Sequence, residues 1–141
     1  MSTELVVNAE HLGGMKFTAS AGEHVVEMDY PFPPGHKTEG PTPLEMILAS
    51  LAVCSGSTLA LVLGEMKEPL EGLKVEARGQ RSEQHPTVLT EISLEFTLRG
   101  PGLKAGPVQQ ALSVAEERLC PVWAMLKQGT PITASFSLTG D

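Results

Sequence analysis

Basic residues are scarce in this 141-residue chain. Ten lysines and arginines stand against seventeen aspartates and glutamates, which gives a net charge of −7 and a pI near 5.1. The basic residues are scattered along the chain and form no cluster. Because the phosphates of nucleic acids demand a basic surface, we expect no nucleic-acid partner.

Aromatic side chains are also rare, at 4% of the residues, so we expect an aliphatic core. Hydrophobic residues make up 41% and charged residues 19% of the chain, which is ordinary for a globular protein and argues against disorder. The sequence contains no internal repeat and no linker long enough to divide it. These features predict a single domain over residues 1–141.

The N-terminus lacks a basic segment followed by an apolar stretch, so it does not have the pattern of a secretion signal. The longest nearly apolar run, 46–54, is too short to span a bilayer, and polar residues flank it. We therefore expect a cytoplasmic protein without a membrane partner. In that reducing compartment two cysteines do not form a structural disulfide framework, so a role for them would be catalytic or redox.

The order of sequence patterns predicts an α+β fold. Short β-prone segments predict an N-terminal antiparallel meander within residues 1–30, and a loop rich in proline and glycine follows at 31–41. A central helix is expected over 42–64, and a C-terminal β-β-α-α-β series over 70–139. The meander strands are predicted at 4–9, 15–20 and 24–29, and the two helices of the C-terminal series at 107–119, with Leu119 facing inward, and after Pro121.

The central helix has a clear beginning. Thr42 is a favourable N-cap, Pro43 suits the first helical position, and Glu45 completes a Thr-x-x-Glu capping box. Apolar residues then occupy nearly the whole circumference of the helix, which indicates burial on more than one side. Since one small sheet covers only one side, we predict that a second subunit covers the other.

The two cysteines differ in their surroundings. A lone cysteine in an apolar helix, such as Cys54, is most often a small core residue. Cys120 precedes Pro121 at the start of a short helix, where free backbone N–H groups favour a thiolate. On these grounds alone Cys120 is better placed than Cys54 to ionise, and Cys54 needs a charged partner supplied by the fold.

The segment "GPTPLEMILASLAVCSGSTL", followed some sixty residues later by "AEERLCPVWAML", resembles the OsmC/Ohr family of thiol-dependent hydroperoxidases. Within that family the chain is most similar to the YhfA-type OsmC-like subgroup, on "GGMKF", "RGPGLK" and the spacing throughout. The resemblance covers essentially the whole chain. It implies antiparallel sheets packed around a long buried central helix in an intertwined homodimer, with active sites at the subunit interface.

The resemblance also implies a chemistry. Cys54 would attack the O–O bond of an organic hydroperoxide and become a sulfenic acid, and Cys120 would resolve it to a disulfide. An external thiol or dithiol would then reduce the disulfide, and no cofactor or metal would be needed. The implied role is defence against oxidative or osmotic stress.

Two features of the family pattern are missing. The family holds its thiolate with an arginine from the N-terminal segment, whereas no arginine precedes Arg78 here; the cations in that region are Lys16 and Lys37. The family's glutamate directly follows the helix-starting proline, where this chain has Leu44, with Glu45 one residue later. Lys16 and Glu45 are therefore the candidates for activating Cys54, although Glu45 is already explained as a capping residue.

Two functions follow from these residues. The first is a thiol-dependent peroxidase with Cys54 and Cys120 as its reactive residues. The alternative is a non-catalytic OsmC-like protein that binds a small apolar ligand or serves as a redox sensor, which the missing arginine and the displaced glutamate favour. The four histidines are spread over separate segments without metal-ligand spacing, so neither function is expected to involve a metal.

Overall fold

The computed structural model describes residues 3–140 of the chain. Its helices and strands follow one another in the predicted α+β order. The strands are β1 (Asn8–Gly13), β2 (Lys16–Ala21), β3 (His24–Met28), β4 (Gly72–Arg81), β5 (Leu89–Arg99) and β6 (Ile132–Thr139). The helices are α1 (Pro43–Glu65), α2 (Ala105–Val114) and α3 (Pro121–Leu126), with a π-helical segment, Ala115–Leu119, directly after α2. The described chain divides into two compact units between Ile47 and Leu48.

The first unit contains the predicted antiparallel meander, in the order β1-β2-β3. Gly13 ends β1 and Gly14 begins the turn to β2, and both have the positive φ that glycine adopts most readily. The prediction that the first strand begins at residue 4 is wrong. Pairing with β2 begins at Asn8, which lies opposite Ser20, and β2 ends at the next residue, Ala21. Residues 4–7 therefore have no neighbouring strand there, and their side chains are exposed.

A network around Asp29 organises the loop between β3 and α1. The Asp29 carboxylate is buried and accepts hydrogen bonds from the backbone N–H groups of Tyr30 (2.8 Å) and Glu39 (3.1 Å) and from His36 Nε2 (2.8 Å). The Asp29 N–H donates to the carbonyl of Pro41 at 3.1 Å, which closes the loop. The hydrogen bond from His36 is the main reason why the pKa of Asp29 lies below its ordinary value.

The start of α1 confirms the predicted capping box. The Thr42 N–H donates to Glu45 Oε1 at 2.9 Å, and the Glu45 N–H donates to Thr42 Oγ1 at 3.2 Å. These two bonds satisfy backbone donors that the helix itself leaves free. The Thr42 N–H and the Thr42 hydroxyl both donate to the Glu45 carboxylate, which lowers the pKa of Glu45.

The second unit packs α1 on one face of the β4-β5-β6 sheet. The strict alternation of β5 places four apolar side chains on the buried face, as the sequence predicts. The core contains Leu51, Leu59, Val62 and Leu63 of α1, Ile92, Leu94, Phe96 and Leu98 of β5, Val108, Ala111 and Leu112 of α2, and Cys120 and Trp123. Gly56 permits the close approach of helix and sheet, because a Cβ there would lie 3.0 Å from a methyl group of Val75.

The second sheet is mixed and not purely antiparallel. β4 and β5 pair antiparallel, whereas β5 and β6 pair parallel, with Phe96 opposite Phe136. A parallel pair requires a crossover, and α2, the π-helical segment and α3 provide it. The π-helical segment also corrects one burial prediction: its wider turn shifts the helical face, and Leu119 is exposed, not inward.

Helix α1 is longer than the apolar run that the sequence highlights. By length and composition alone its 23 residues suffice to cross a membrane, with a mean hydropathy of 2.1 over the most apolar window. A core helix of a globular protein passes the same test, and α1 contributes six buried residues from Leu51 to Leu63. On its outer side Val53 and Leu61 are 68% and 55% exposed, which leaves an apolar surface uncovered.

Candidate functional site

Cys54 lies near the middle of α1 and is partly buried at the edge of the core. It is a free thiol. One helical turn later, the Thr58 hydroxyl donates a hydrogen bond to the Cys54 carbonyl. The thiol is therefore held by a regular helix that the core fixes on one side, while part of the residue remains accessible.

The local sequence positions Cys120 at the beginning of α3. The Cys120 N–H donates to the carbonyl of Ala115 at 2.9 Å, which closes the π-helical segment. Because a residue before proline avoids the helical region, Cys120 is extended, with φ −79° and ψ 105°, and Pro121 begins the helix. Cys120 is thus the N-cap of α3, and its Sγ accepts a hydrogen bond from the Trp123 N–H at 3.5 Å.

The fold brings the two cysteines together. Cys120 belongs to the hydrophobic core cluster and Cys54 packs against that cluster, although the two cysteines are far apart in sequence. Cys120 is 1% exposed and Cys54 is partly buried. The two cysteines therefore border the same core cluster, and the more accessible one lies on α1.

The expectation that the helix start favours a Cys120 thiolate is wrong. Burial raises the pKa of Cys120, and this outweighs the hydrogen bond from the Trp123 N–H, which favours the thiolate. Negative charge on Cys54 would raise the pKa of Cys120 further. Sequence reasoning identified the helix start correctly but could not anticipate its burial. Burial therefore favours the protonated form of Cys120.

Two further residues shape the surroundings of the thiols. Trp123 is buried, and its ring stacks on Phe96 with centroids 6.5 Å apart. Met125, two residues later on the same helix, is 72% exposed. Thr58 was not a sequence candidate, although its position four residues after Cys54 places it on the same side of the helix.

The other two predicted site residues lie in the first unit and have partners there. Lys16 Nζ lies 3.4 Å from Glu39 Oε1, in an ion pair whose lysine side chain is 25% exposed. Glu45 is engaged in the capping box with Thr42. A catalytic role for Lys16 or Glu45 stays a prediction.

The first unit also has a half-open apolar cavity of about 220 Å³. The lining is dominated by the side chains of Met15, Phe17, Met28, Tyr30 and Pro43. Within residues 3–140, no group of three or more histidine, cysteine, aspartate and glutamate side chains is arranged to hold a metal ion.

A family model described as "OsmC-like protein" matches residues 35–135, which is most of the chain and includes both cysteines. Protein YhfA of Escherichia coli strain K12 is 29% identical over 120 residues, which cover 84% of this chain and 86% of YhfA.

Solved structures have the same fold. An OsmC-like protein from Mycoplasma pneumoniae superposes with a TM-score of 0.85 at 22% identity, covering 99% of both chains. An organic hydroperoxide resistance protein from Elizabethkingia anophelis superposes with a TM-score of 0.70 at 21% identity, covering 100% of both chains. At these identities the likeness establishes the fold alone.

Proposed function

Because this chain belongs to the OsmC-like family, we propose that it is a thiol-dependent peroxidase that reduces organic hydroperoxides. Cys54 would be the nucleophile and Cys120 the resolving thiol. Structural relatives are described as organic hydroperoxide resistance proteins, which is consistent with this chemistry. The reductant would be an external thiol or dithiol, and the protein would act in the cytoplasm against oxidative or osmotic stress.

The observation that carries the proposal is the shared location of the two thiols. Cys54 packs against the core cluster that contains Cys120, and Cys54 contributes to raising the pKa of the Cys120 thiol. A disulfide between them would join two residues of one cluster. The apolar surroundings also suit an organic hydroperoxide better than a small polar oxidant.

The difference in burial assigns the roles. A nucleophilic cysteine must be accessible and must ionise, and the partly exposed Cys54 meets the first requirement. Cys120 is buried with a raised pKa, so it remains a thiol while Cys54 reacts. A buried thiol in the cluster against which the nucleophile packs is well placed for the resolving step.

The proposed reaction has three balanced steps. The Cys54 thiolate attacks the terminal oxygen of the hydroperoxide; an S–O bond forms, the O–O bond breaks, and the alkoxide takes up a proton to leave as an alcohol. Cys120 then attacks the sulfur of the sulfenic acid; the S–S bond forms, the S–O bond breaks, and hydroxide leaves with the Cys120 proton as water. An external dithiol supplies two electrons and two protons to restore both thiols.

The direct test treats the reduced protein with one equivalent of cumene hydroperoxide. We expect loss of both free thiols and an intramolecular disulfide linking Cys54 and Cys120, detected by thiol titration and peptide mass mapping. Cys54→Ser should abolish the reaction, whereas Cys120→Ser should still form a Cys54 sulfenic acid that dimedone traps. Unchanged thiols after excess oxidant, or no turnover with a dithiol reductant, would refute the peroxidase.

A second candidate is a binding protein for a small apolar ligand. The cavity in the first unit favours it, because nearly all of its lining is apolar. Titration calorimetry with 1-octanol would test it. Binding should survive Cys54→Ser and disappear in Ala19→Leu, since Ala19 lines the cavity and a larger side chain would fill it. Absence of binding to the wild-type protein would eliminate this candidate.

A further inference from the structure

Two methionines line the cavity of the first unit. Met15 lies in the turn between β1 and β2, and Met28 is the last residue of β3, paired with Phe17 of β2. Met15 and Phe17 both belong to the segment "GGMKF", which the proposed peroxidase mechanism does not use. Two thioethers from different parts of the chain therefore border the same apolar space.

These methionines have an ordinary structural explanation. Methionine is flexible and fills irregular apolar gaps, and an exposed methionine is open to oxidation anywhere on a protein surface. Exposure alone would make Met125 the most readily oxidised of the described methionines, because it is 72% exposed, against 41% for Met15. Met28 and Met66 are partly buried, and Met66 packs against the core of the second unit. The cavity acts on oxidation only if it changes this order.

The lining determines what the cavity holds and what reacts there. Nearly all of it is apolar, and the volume of about 220 Å³ lies below the range of about 300–1,000 Å³ that is usual for drug-sized ligands. A small molecule with an apolar body fits these properties. Asp29 also borders the cavity, but its carboxylate already accepts three hydrogen bonds from the loop. Among the described lining residues, only the two thioethers can accept an oxygen atom from a peroxide.

We propose that this cavity is an oxidation site, where a small organic hydroperoxide transfers an oxygen atom to the thioether of Met15 or Met28. The inference rests on the proposed function for its oxidant, although it needs neither cysteine. The sulfur attacks the terminal oxygen of the hydroperoxide; an S–O bond forms and the O–O bond breaks. The proton of that oxygen passes to the departing alkoxide, which leaves as an alcohol. The sulfur loses two electrons and the peroxide gains them, so no further reductant takes part.

Binding in the cavity holds the peroxide beside the thioethers, which raises its effective concentration there. The sulfoxide that forms is polar, and a polar group without a hydrogen-bond partner is costly in an apolar site. Oxidation of either methionine therefore weakens the binding of a further apolar ligand. The cavity would release such a ligand in response to organic hydroperoxides.

The test compares two oxidants on the Cys54→Ser/Cys120→Ser protein, so that no thiol consumes them. Peptide mass mapping measures the sulfoxides at Met15, Met28 and Met125 after equal overall oxidation by hydrogen peroxide or by cumene hydroperoxide. Hydrogen peroxide should follow exposure, with Met125 first. Cumene hydroperoxide should raise the yield at the two cavity methionines, relative to Met125, about tenfold above the ratio that hydrogen peroxide gives. An equal ratio with both oxidants would overturn the proposal.

Two controls separate the cavity from general reactivity. Ala19→Leu fills the cavity and should return the ratio to its hydrogen peroxide value, and saturating 1-octanol should do the same without that substitution. Met66 is partly buried like Met28 but lies outside the cavity, so cumene hydroperoxide should not favour it. Enrichment that persists in the Ala19→Leu variant, or that extends to Met66, would refute the cavity as its cause.

The effect on binding has its own measurement. In titration calorimetry, 1-octanol should bind the protein treated with cumene hydroperoxide about tenfold more weakly than the untreated protein. The Met15→Leu/Met28→Leu variant keeps an apolar lining and should keep its affinity after the same treatment. Unchanged affinity of the treated parent protein would refute ligand release. If the wild-type protein forms no disulfide with any hydroperoxide, the proposed peroxidase fails, while the mass mapping without thiols still decides the oxidation site.

Discussion

At the scale of single residues, Cys120 and Cys54 differ chiefly in burial, and burial orders their reactivity. Cys120 is 1% exposed, and burial raises its pKa. Cys54 reaches the edge of the core and is partly accessible. The helix start at Pro121 does supply a donor to the Cys120 sulfur, but one N–H group does not compensate for removal of the thiolate from water.

This difference in burial predicts that the two thiols are alkylated at different rates. Iodoacetamide should modify Cys54 in the Cys120→Ser variant at least about tenfold faster at pH 7 than it modifies Cys120 in the Cys54→Ser variant. The midpoint of the Cys120 pH profile should lie above that of a free thiol, because burial disfavours its thiolate. Rates followed by mass spectrometry across pH would check both statements. A Cys120 midpoint below that of a free thiol would contradict them.

Asp29 predicts a dependence of stability on pH. The hydrogen bond from His36 lowers its pKa in the folded protein, so the carboxylate stabilises the fold above the unfolded pKa of about 3.9 and loses this effect as pH falls through the folded value. The urea midpoint of the wild type should therefore fall below about pH 4. The Asp29→Asn variant should have a lower urea midpoint than the wild type at neutral pH, and its midpoint should fall less steeply as the pH decreases.

A control for this prediction is Glu83→Gln, which changes an exposed carboxylate in the loop before β5. It should keep the wild-type profile. If Asp29→Asn also keeps that profile, the loop network around Asp29 contributes no stability, and the prediction is wrong.

At the scale of secondary structure elements, the capping box of α1 separates a structural from a catalytic role of Glu45. Glutamine serves in a capping box as well as glutamate does, so Glu45→Gln should leave the start of α1 unchanged. If Glu45 has only this capping role, the variant should also have the wild-type peroxidase rate. Thr42→Ala should lower the free energy of unfolding by about 1 kcal/mol, because Thr42 Oγ1 no longer accepts from the Glu45 N–H. Urea unfolding and steady-state turnover measure the two effects. A loss of turnover in Glu45→Gln with unchanged stability would instead make Glu45 catalytic.

Local sequence patterns predicted those elements whose cause is local. The capping residues fixed the start of α1, and alternation in β5 identified its buried face. The direction of β6 could not be predicted, because alternation within a strand says nothing about the direction of its neighbour. Residues 4–7 have strand-like composition but no partner strand to pair with. The π-helical segment likewise has no simple sequence signal, and it exposes Leu119.

The candidate site was predicted in part, for the same reason. Both cysteines were identified, and the structure places them at the same core cluster. The raised pKa of Cys120 depends on burial, which the tertiary structure alone determines.

At the scale of the whole molecule, the uncovered side of α1 supports the predicted homodimer. Val53 and Leu61 are more than half exposed on a helix whose other side is in the core. Val53→Glu would place a charge in an apolar contact, which is costly unless the charge is paired. Light scattering should give twice the 15.0 kDa chain mass for the wild type and one chain mass for this variant. Val88→Glu, at an exposed loop position, should remain dimeric; a monomeric wild type would refute the prediction.

The crossover between β5 and β6 carries Cys120, whereas Cys54 belongs to the helix that packs on the same sheet. Oxidation would thus tie together two parts of the chain that only packing holds together in the reduced state. The covalent ring would enclose roughly 66 residues, and the lost freedom of the unfolded chain corresponds to about 4 kcal/mol of added stability. The oxidised protein should consequently melt at a higher temperature than the reduced protein in a calorimeter. The melting temperature would then report an earlier exposure to an oxidant, even after that oxidant has been removed from the sample.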